Sequence, residues 1–91
     1  MPYIDADKRE LLEHSLQNLY ARILVHDEAD LAGILNYCIS RIVSEIVKEK
    51  GLKYSQLNEL IGVLECAKLE LYRRVAAPYE DEKAQINGDV F

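Results

Sequence analysis

The sequence has few of the residues that break helices, with four glycines and two prolines. It also has one phenylalanine and no tryptophan. Hydrophobic residues make up 49% and charged residues 30% of the chain, which excludes a disordered protein and is typical of a helix-rich globular one. With 91 residues, the chain is expected to form a single domain over residues 1–91, and a second independent core is excluded.

Cysteines and long apolar runs are also scarce. Cys38 and Cys66 stand alone in apolar helical patterns, so they form neither a disulfide framework nor a metal motif, and we expect inert core thiols. The first residues lack a basic stretch followed by an apolar run, and no stretch of about 18 uncharged apolar residues occurs. We therefore expect a soluble, cytoplasmic protein that does not bind a membrane.

Basic residues are outnumbered by acidic ones. Eleven Lys and Arg face sixteen Asp and Glu, for a formal net charge of −5, and this balance argues against general nucleic-acid binding, which depends on neutralising phosphates. Residues 1–30 carry seven acids and three bases, residues 31–79 carry five acids and seven bases, and residues 80–91 carry four acids and one base. The middle of the chain is therefore the part suited to an anion.

Three stretches with helical periodicity predict an all-α fold. The apolar residues recur every three or four positions, which predicts three helices and a tail: about residues 7–25, 30–50 and 55–77, then 78–91. Asp7 and Glu10 resemble a capping box, Gly51 supplies a C-terminal stop, and Pro78 is expected to end the third helix near Ala77. Short loops predict an antiparallel up-down bundle, with a short C-terminal helix or a docked tail.

The third predicted helix is apolar on almost every side. One face carries Leu57, Leu60, Ile61, Leu64, Leu71 and Val75, and the opposite face carries Val63, Cys66 and Leu69. Three helices of this size cannot cover so much apolar surface, so a homo-oligomer is expected. Val90 and Phe91 are expected to dock on apolar surface of the same subunit or of a neighbouring one.

Charged and aromatic residues are densest near the end of the third predicted helix. Arg73 and Arg74 offer guanidinium groups that suit phosphate or carboxylate, and Tyr72 and Tyr79 can stack on a ring or donate a hydroxyl. A nucleotide-like anion would fit such a cluster. The alternative is a purely structural role, in which Glu70 forms ion pairs with both arginines at i+3 and i+4.

Lys68 falls within the apolar face of the third helix. Either its stem runs along apolar surface and its ammonium reaches water, or the ammonium meets a carboxylate or a ligand in a partly buried pocket. His14 and His26 have no second His or Cys at ligand spacing, so the sequence predicts no metal site and no cofactor.

Several short motifs carry a resemblance to a known family. The run from Asn58 through Arg74, the motif PYEDEK, the ending NGDVF and the tripeptide Leu35-Asn36-Tyr37 resemble a family of small uncharacterised proteins found largely in phage and prokaryotic genomes. The resemblance implies a compact all-α unit with no assigned activity. The positions typical of that family are Asn36, Tyr37, Glu65, Lys68, Glu70, Tyr72, Arg73, Arg74, Tyr79 and Glu80.

The segment from Asn58 to Leu64 is also similar to the acidic third-helix motif of MazG-type nucleoside triphosphate pyrophosphohydrolases. That resemblance implies a metal-dependent hydrolase. Gly62 stands where a metal-binding Asp is expected, and residues 34–36 replace the paired Glu motif of the preceding helix.

These observations favour a homo-oligomeric binding protein over an enzyme. Arg73 and Arg74 would form charge-assisted hydrogen bonds to an anionic small molecule, Tyr72 or Tyr79 would orient it, and Lys68 could contribute across a subunit interface. A host protein is the other expected partner. The alternatives are a MazG-like hydrolase and a purely structural oligomer.

Overall fold

The protein consists of α-helices joined by short connections. The computed structural model describes residues 2–91, and no β-strand occurs among them. The helical elements are α1 (Ala6–Leu24), α2 (Glu28–Lys50), α3 (Tyr54–Leu71), a π-helical segment (Tyr72–Ala76) and α4 (Ala77–Asn87). The predicted all-α fold is confirmed.

The first two helices begin and end close to where the sequence predicts. Helix α1 starts at Ala6, one residue earlier than expected. Asp5, in an extended conformation, occupies its N-cap, so Asp7 lies in the first turn and does not cap the helix. No side-chain cap hydrogen bond forms at Asp5, which corrects the expected capping box. Helix α2 ends at Gly51, whose φ of 92° favours glycine.

The expected end of the third helix near Ala77 is wrong. Helical structure continues through the π-helical segment into α4 and stops only at Gly88, where φ is 98°. Pro78 lacks an amide hydrogen and is tolerated in the first turn of α4. Just before it, the amide of Ala77 donates to the carbonyl of Tyr72, five residues back, so the hydrogen-bond ladder widens where the proline would otherwise interrupt it.

The described chain divides into two compact units. The first, Tyr3–Leu57, is built on the hairpin of α1 and α2, which are in contact. Along this hairpin the half-buried apolar residues are Leu19 and Ile23 on α1, and Leu31, Ile34, Cys38, Val43 and Val47 on α2. On the same two helices, Leu12, Leu16 and Ile42 are exposed. The apolar stripes therefore extend beyond the part that the hairpin covers.

The second unit contains Asn58–Phe91 together with Pro2. Most of α3, the π-helical segment and α4 belong to it, and α4 is in contact with the π-helical segment. Its half-buried positions are Leu60, Glu70, Ala76, Ala77 and Ala84.

Neither unit has a buried core of its own. None of the residues from 2 to 91 is buried, and the exposed apolar side chains include Ile61, Val63, Leu64 and Leu69 of α3. The single-domain, three-helix bundle expected from the sequence stays a prediction. A chain that is 49% hydrophobic gains most of its folding free energy from covering such side chains, so their exposure is the main feature that any proposed function has to explain.

Candidate functional site

The predicted anion site lies where the π-helical segment joins α4. We call Tyr72, Arg73, Arg74 and Tyr79 the arginine–tyrosine surface; all four belong to the second unit and are exposed. The first three residues open the π-helical segment and Tyr79 follows one residue after Pro78. π-Helical turns are rare and are found frequently at functional sites. The presence of Tyr72, Arg73 and Arg74 in one favours these residues as a candidate site.

One of the two arginines forms the ion pair that the structural alternative predicts. Nη2 of Arg73 lies 2.8 Å from both carboxylate oxygens of Glu70, whose side chain is only 21% exposed. The pair spans i,i+3 on the helix. Glu70 therefore holds the guanidinium of Arg73 beside the start of the π-helical segment.

Arg74 differs from its neighbour. No hydrogen bond or ion pair joins its side chain to any residue between 2 and 91, so the expected i,i+4 pair with Glu70 does not form. Its guanidinium is available to a partner from outside the chain. An arginine of this kind can bind a phosphate or a carboxylate without first breaking an internal ion pair.

The two tyrosines are each positioned by a charged residue of α4. The hydroxyl of Tyr72 donates to a carboxylate oxygen of Glu80 at 3.4 Å, across eight residues of helical structure. The ammonium of Lys83 lies 5.5 Å from the centre of the Tyr79 ring, a cation–π contact. The structure thus adds Lys83, a third cation that the sequence analysis did not single out, to the same stretch of helix.

Lys68 and Glu65 form an ion pair one turn before this surface. Nζ of Lys68 lies 3.1 Å from Glu65, and the lysine side chain is 69% exposed. The ammonium is exposed, as the first of the two interpretations of Lys68 requires, and it meets a carboxylate, as the second one requires, so each is met in part.

The two site residues predicted on α2 belong to the first unit. Asn36 accepts a hydrogen bond from the hydroxyl of Ser40 at 3.1 Å. Tyr37 interacts with Arg41, which donates to Glu45 at 2.8 Å. The hydrogen bond to Glu45 and the charge of Glu45, with a smaller contribution from Tyr37, raise the pKa of Arg41 above its ordinary value, so this arginine stays cationic.

A groove that the sequence analysis missed lies between α1 and α2. Its volume is about 380 Å³, within the range of small-molecule sites. The lining consists of Leu19, Arg22, Ile23, His26, Gly33, Ile34, Tyr37 and Cys38. The sequence signals for it were the spacing of Arg22 and His26 near the end of α1 and that of Gly33 and Tyr37 on one side of α2. No atom lies within 4 Å of the position that a Cβ on Gly33 would occupy, so this glycine keeps the groove open.

The described residues include potential metal ligands and two cysteines. Among residues 2–91, no three His, Cys, Asp or Glu side chains lie close enough to hold a metal ion. Both cysteines are free thiols. Cys38 is half-buried in the groove, but Cys66 is exposed, which corrects the expectation that both are core residues. No described helix combines the length and the apolar character needed to cross a membrane.

Comparison with known proteins places the chain in a family. A family model described as "Domain of unknown function (DUF6899)" matches residues 1–90. The chain belongs to the DUF6899 family. No curated protein and no solved structure matches it. The DUF6899 match covers the whole arginine–tyrosine surface and the whole α1–α2 groove, so both are parts of the family domain.

Proposed function

We propose that this DUF6899 protein is a homo-oligomeric binding protein that recognises an anionic, nucleotide-like small molecule through the arginine–tyrosine surface. The observation that carries the proposal is the exposed guanidinium of Arg74 in the π-helical segment, which has no hydrogen-bond or ion-pair partner among residues 2–91. Arg73 and Lys83 add positive charge along the same helical stretch, within a protein of net charge −5. Residues 71–79 contain both arginines and no acidic residue, so positive charge is in excess there, whereas residues 80–83 contain three acids and Lys83.

The tyrosines supply the second half of the recognition. Their rings offer flat apolar area for stacking on a base, and the hydroxyl of Tyr72 is oriented by Glu80. Arginines bind the phosphates through charge-assisted hydrogen bonds, which are about twice as strong as neutral ones. A ligand that combines an aromatic ring with phosphate groups would use both residue types at once.

The exposed apolar surface supports self-association. The chain exposes 8316 Å². A folded monomer of 10.4 kDa typically exposes about 5,400 Å². The difference is about 2,900 Å² per chain, or about 5,800 Å² for two chains, which is at or above the roughly 2,000 to 5,000 Å² that obligate homodimers bury in total. Covering it with further copies of the chain would give the apolar faces of α1, α2 and α3 the partners that they lack.

The setting of the protein is part of the proposal. Two free thiols suit a reducing compartment, which favours the cytoplasm, and the motifs that resemble phage and prokaryotic proteins favour such an origin.

Calorimetric titration with ATP tests the ligand. We expect binding by the wild-type protein and a loss of affinity of at least about tenfold in Arg74→Gln, since removal of one charge-assisted pair costs about 1.5–3 kcal/mol. Arg9→Gln is the matched control, because Arg9 lies in α1 and donates to the carbonyl of Ile4. Equal affinity in Arg74→Gln and the control would contradict the proposed site.

A failure of the wild-type protein to bind tests the proposed ligand class, whereas unchanged affinity in Arg74→Gln tests the location of the site. If the wild-type oligomer binds neither ATP nor inorganic pyrophosphate, the anion-binding proposal fails and a structural oligomer or a protein-binding role replaces it. Retention of a host protein at Arg74 in the absence of any anion binding would likewise overturn the small-molecule assignment.

A further inference from the structure

The lining of the α1–α2 groove has an aliphatic part and a basic part. Leu19, Ile23 and Ile34 supply aliphatic surface, and Arg22, in the last turn of α1, and His26, just after α1, supply basic side chains. Such a site suits an occupant that is mainly apolar and carries a negative charge at one end.

Arg22 has no partner among residues 2–91. Neither a hydrogen bond nor an ion pair connects its side chain to another residue of that range. His26 lies just after the end of α1. The groove lining therefore includes the basic residues Arg22 and His26, and it contains no Asp or Glu.

The segment after α4 has the complementary character. Gly88 turns the chain out of the helix with a φ of 98°, and Asp89, Val90 and Phe91 follow. Val90 is 90% exposed and Phe91 is fully exposed, although both are apolar. The amide of Phe91 donates to the carboxylate of Asp89 at 2.9 Å, a local turn that keeps the negative charge next to the two apolar side chains.

We propose that the α1–α2 groove of one copy of this chain receives Asp89–Phe91 of a second copy. Val90 and Phe91 would lie against the aliphatic lining residues, and the carboxylate of Asp89 would pair with Arg22. Two copies that exchange these segments reciprocally form a closed, two-fold symmetric dimer. This inference rests on the self-association part of the proposed function and names the segment and the surface that join the copies.

The groove already contains a thiol that can report the contact. One chain keeps Cys38 and carries Cys66→Ser. A second, differently tagged chain carries Cys38→Ser, Cys66→Ser and Val90→Cys. When the two are co-expressed and oxidised, a disulfide between them can form only if the segment of one copy reaches the groove of another. The matched control replaces Val90→Cys by Tyr54→Cys, which places an equally exposed thiol at the start of α3.

We expect the Val90→Cys pair to form a mixed disulfide at least about tenfold faster than the Tyr54→Cys pair, because docking raises the effective concentration of the two thiols. Equal rates would overturn the inference. A faster disulfide within a chain that carries Cys38, Cys66→Ser and Val90→Cys, with none between chains, would also overturn it, since the segment would then dock on its own subunit.

Charge reversal provides a second, independent test. Arg22→Asp alone and Asp89→Arg alone should each weaken self-association by about tenfold, and the double variant should restore most of the loss. Asp81→Arg, on an exposed position of α4, is the control for the added arginine. An oligomer that forms normally in both single variants would refute the docking inference and leave the proposed function intact, whereas a wild-type monomer would refute the self-association on which both depend.

Discussion

Pro78→Ala probes the cause of the π-helical segment. A proline within a helix is about 3 kcal/mol less favourable than alanine, because it lacks an amide hydrogen and its ring clashes with the carbonyl four residues back, here that of Arg74. The wider turn ending in the bond from Ala77 to Tyr72 relieves part of that cost. Alanine also gives the unfolded chain more freedom, which offsets about 0.4–1 kcal/mol. We therefore expect a net stabilisation of about 1–2 kcal/mol.

Urea unfolding followed by far-ultraviolet circular dichroism measures this difference. Both proteins must be compared at one concentration, because the stability of an oligomer depends on it. Pro2→Ala is the matched control, since Pro2 lies before α1 and outside helical structure, and we expect it to change the stability by less than about 1 kcal/mol. A Pro78→Ala variant that is less stable than the wild type would refute the explanation of the π-helical segment.

The same substitution links local structure to the proposed function. If α3 and α4 merge into one regular helix, Arg73 and Arg74 change their positions relative to Tyr79. We expect the affinity for ATP to fall at least about tenfold while the stability rises. Tighter binding by the more stable variant would contradict the idea that the π-helical segment shapes the arginine–tyrosine surface.

Two glycines, Arg41 and Glu70 provide further tests. Gly51→Ala should lower the free energy of unfolding in urea by about 1–3 kcal/mol, because φ is 92° and ψ is 161° at this position. Gly62→Ala, within α3 and with nothing within 4 Å of the added Cβ, should raise it by about 0.5–1 kcal/mol. A lower stability of Gly62→Ala would contradict this and would reveal a close neighbour from another copy. Because Glu45 raises the pKa of Arg41, the ion pair stabilises the protein fully below the ordinary pKa of arginine and is lost only above the raised pKa. Circular dichroism should therefore show no loss of α2 through deprotonation of Arg41 between neutral pH and about pH 10. A transition in that range that Arg41→Gln abolishes would contradict this. Glu70→Gln should cost about 0.2–0.5 kcal/mol at low salt and nothing at high salt, and a loss above about 1 kcal/mol would mean that the carboxylate does more than hold the adjacent arginine.

Local patterns along the sequence predict the helices well and their connections less well. The 3.6-residue periodicity locates α1 and α2, and Gly51 marks the end of α2 as expected. The end of the third helix could not be predicted in this way. Pro78 is a stop signal by local rules, but a π-helical turn ahead of it preserves the helical course, and that adjustment depends on backbone geometry that no spacing of apolar residues reveals.

The candidate sites divide along the same line. The ion pair of Arg73 with Glu70 follows from i,i+3 spacing, whereas the choice of Arg73 over Arg74 depends on side-chain geometry near the π-helical segment. The groove was missed because its walls come from two helices whose pairing the sequence does not fix residue by residue. Arg22 and His26 become part of a candidate site only because the pairing of α1 with α2 places Tyr37 and its neighbours in the same groove lining.

Native mass spectrometry of protein purified gently from cells tests the central claim most directly, because one spectrum reports both the number of subunits and any retained small molecule. The account predicts an oligomer of the 10.4 kDa chain that carries a discrete additional mass, and loss of that mass in Arg74→Gln without loss of the oligomer. A bare 10.4 kDa monomer at micromolar concentration would contradict it.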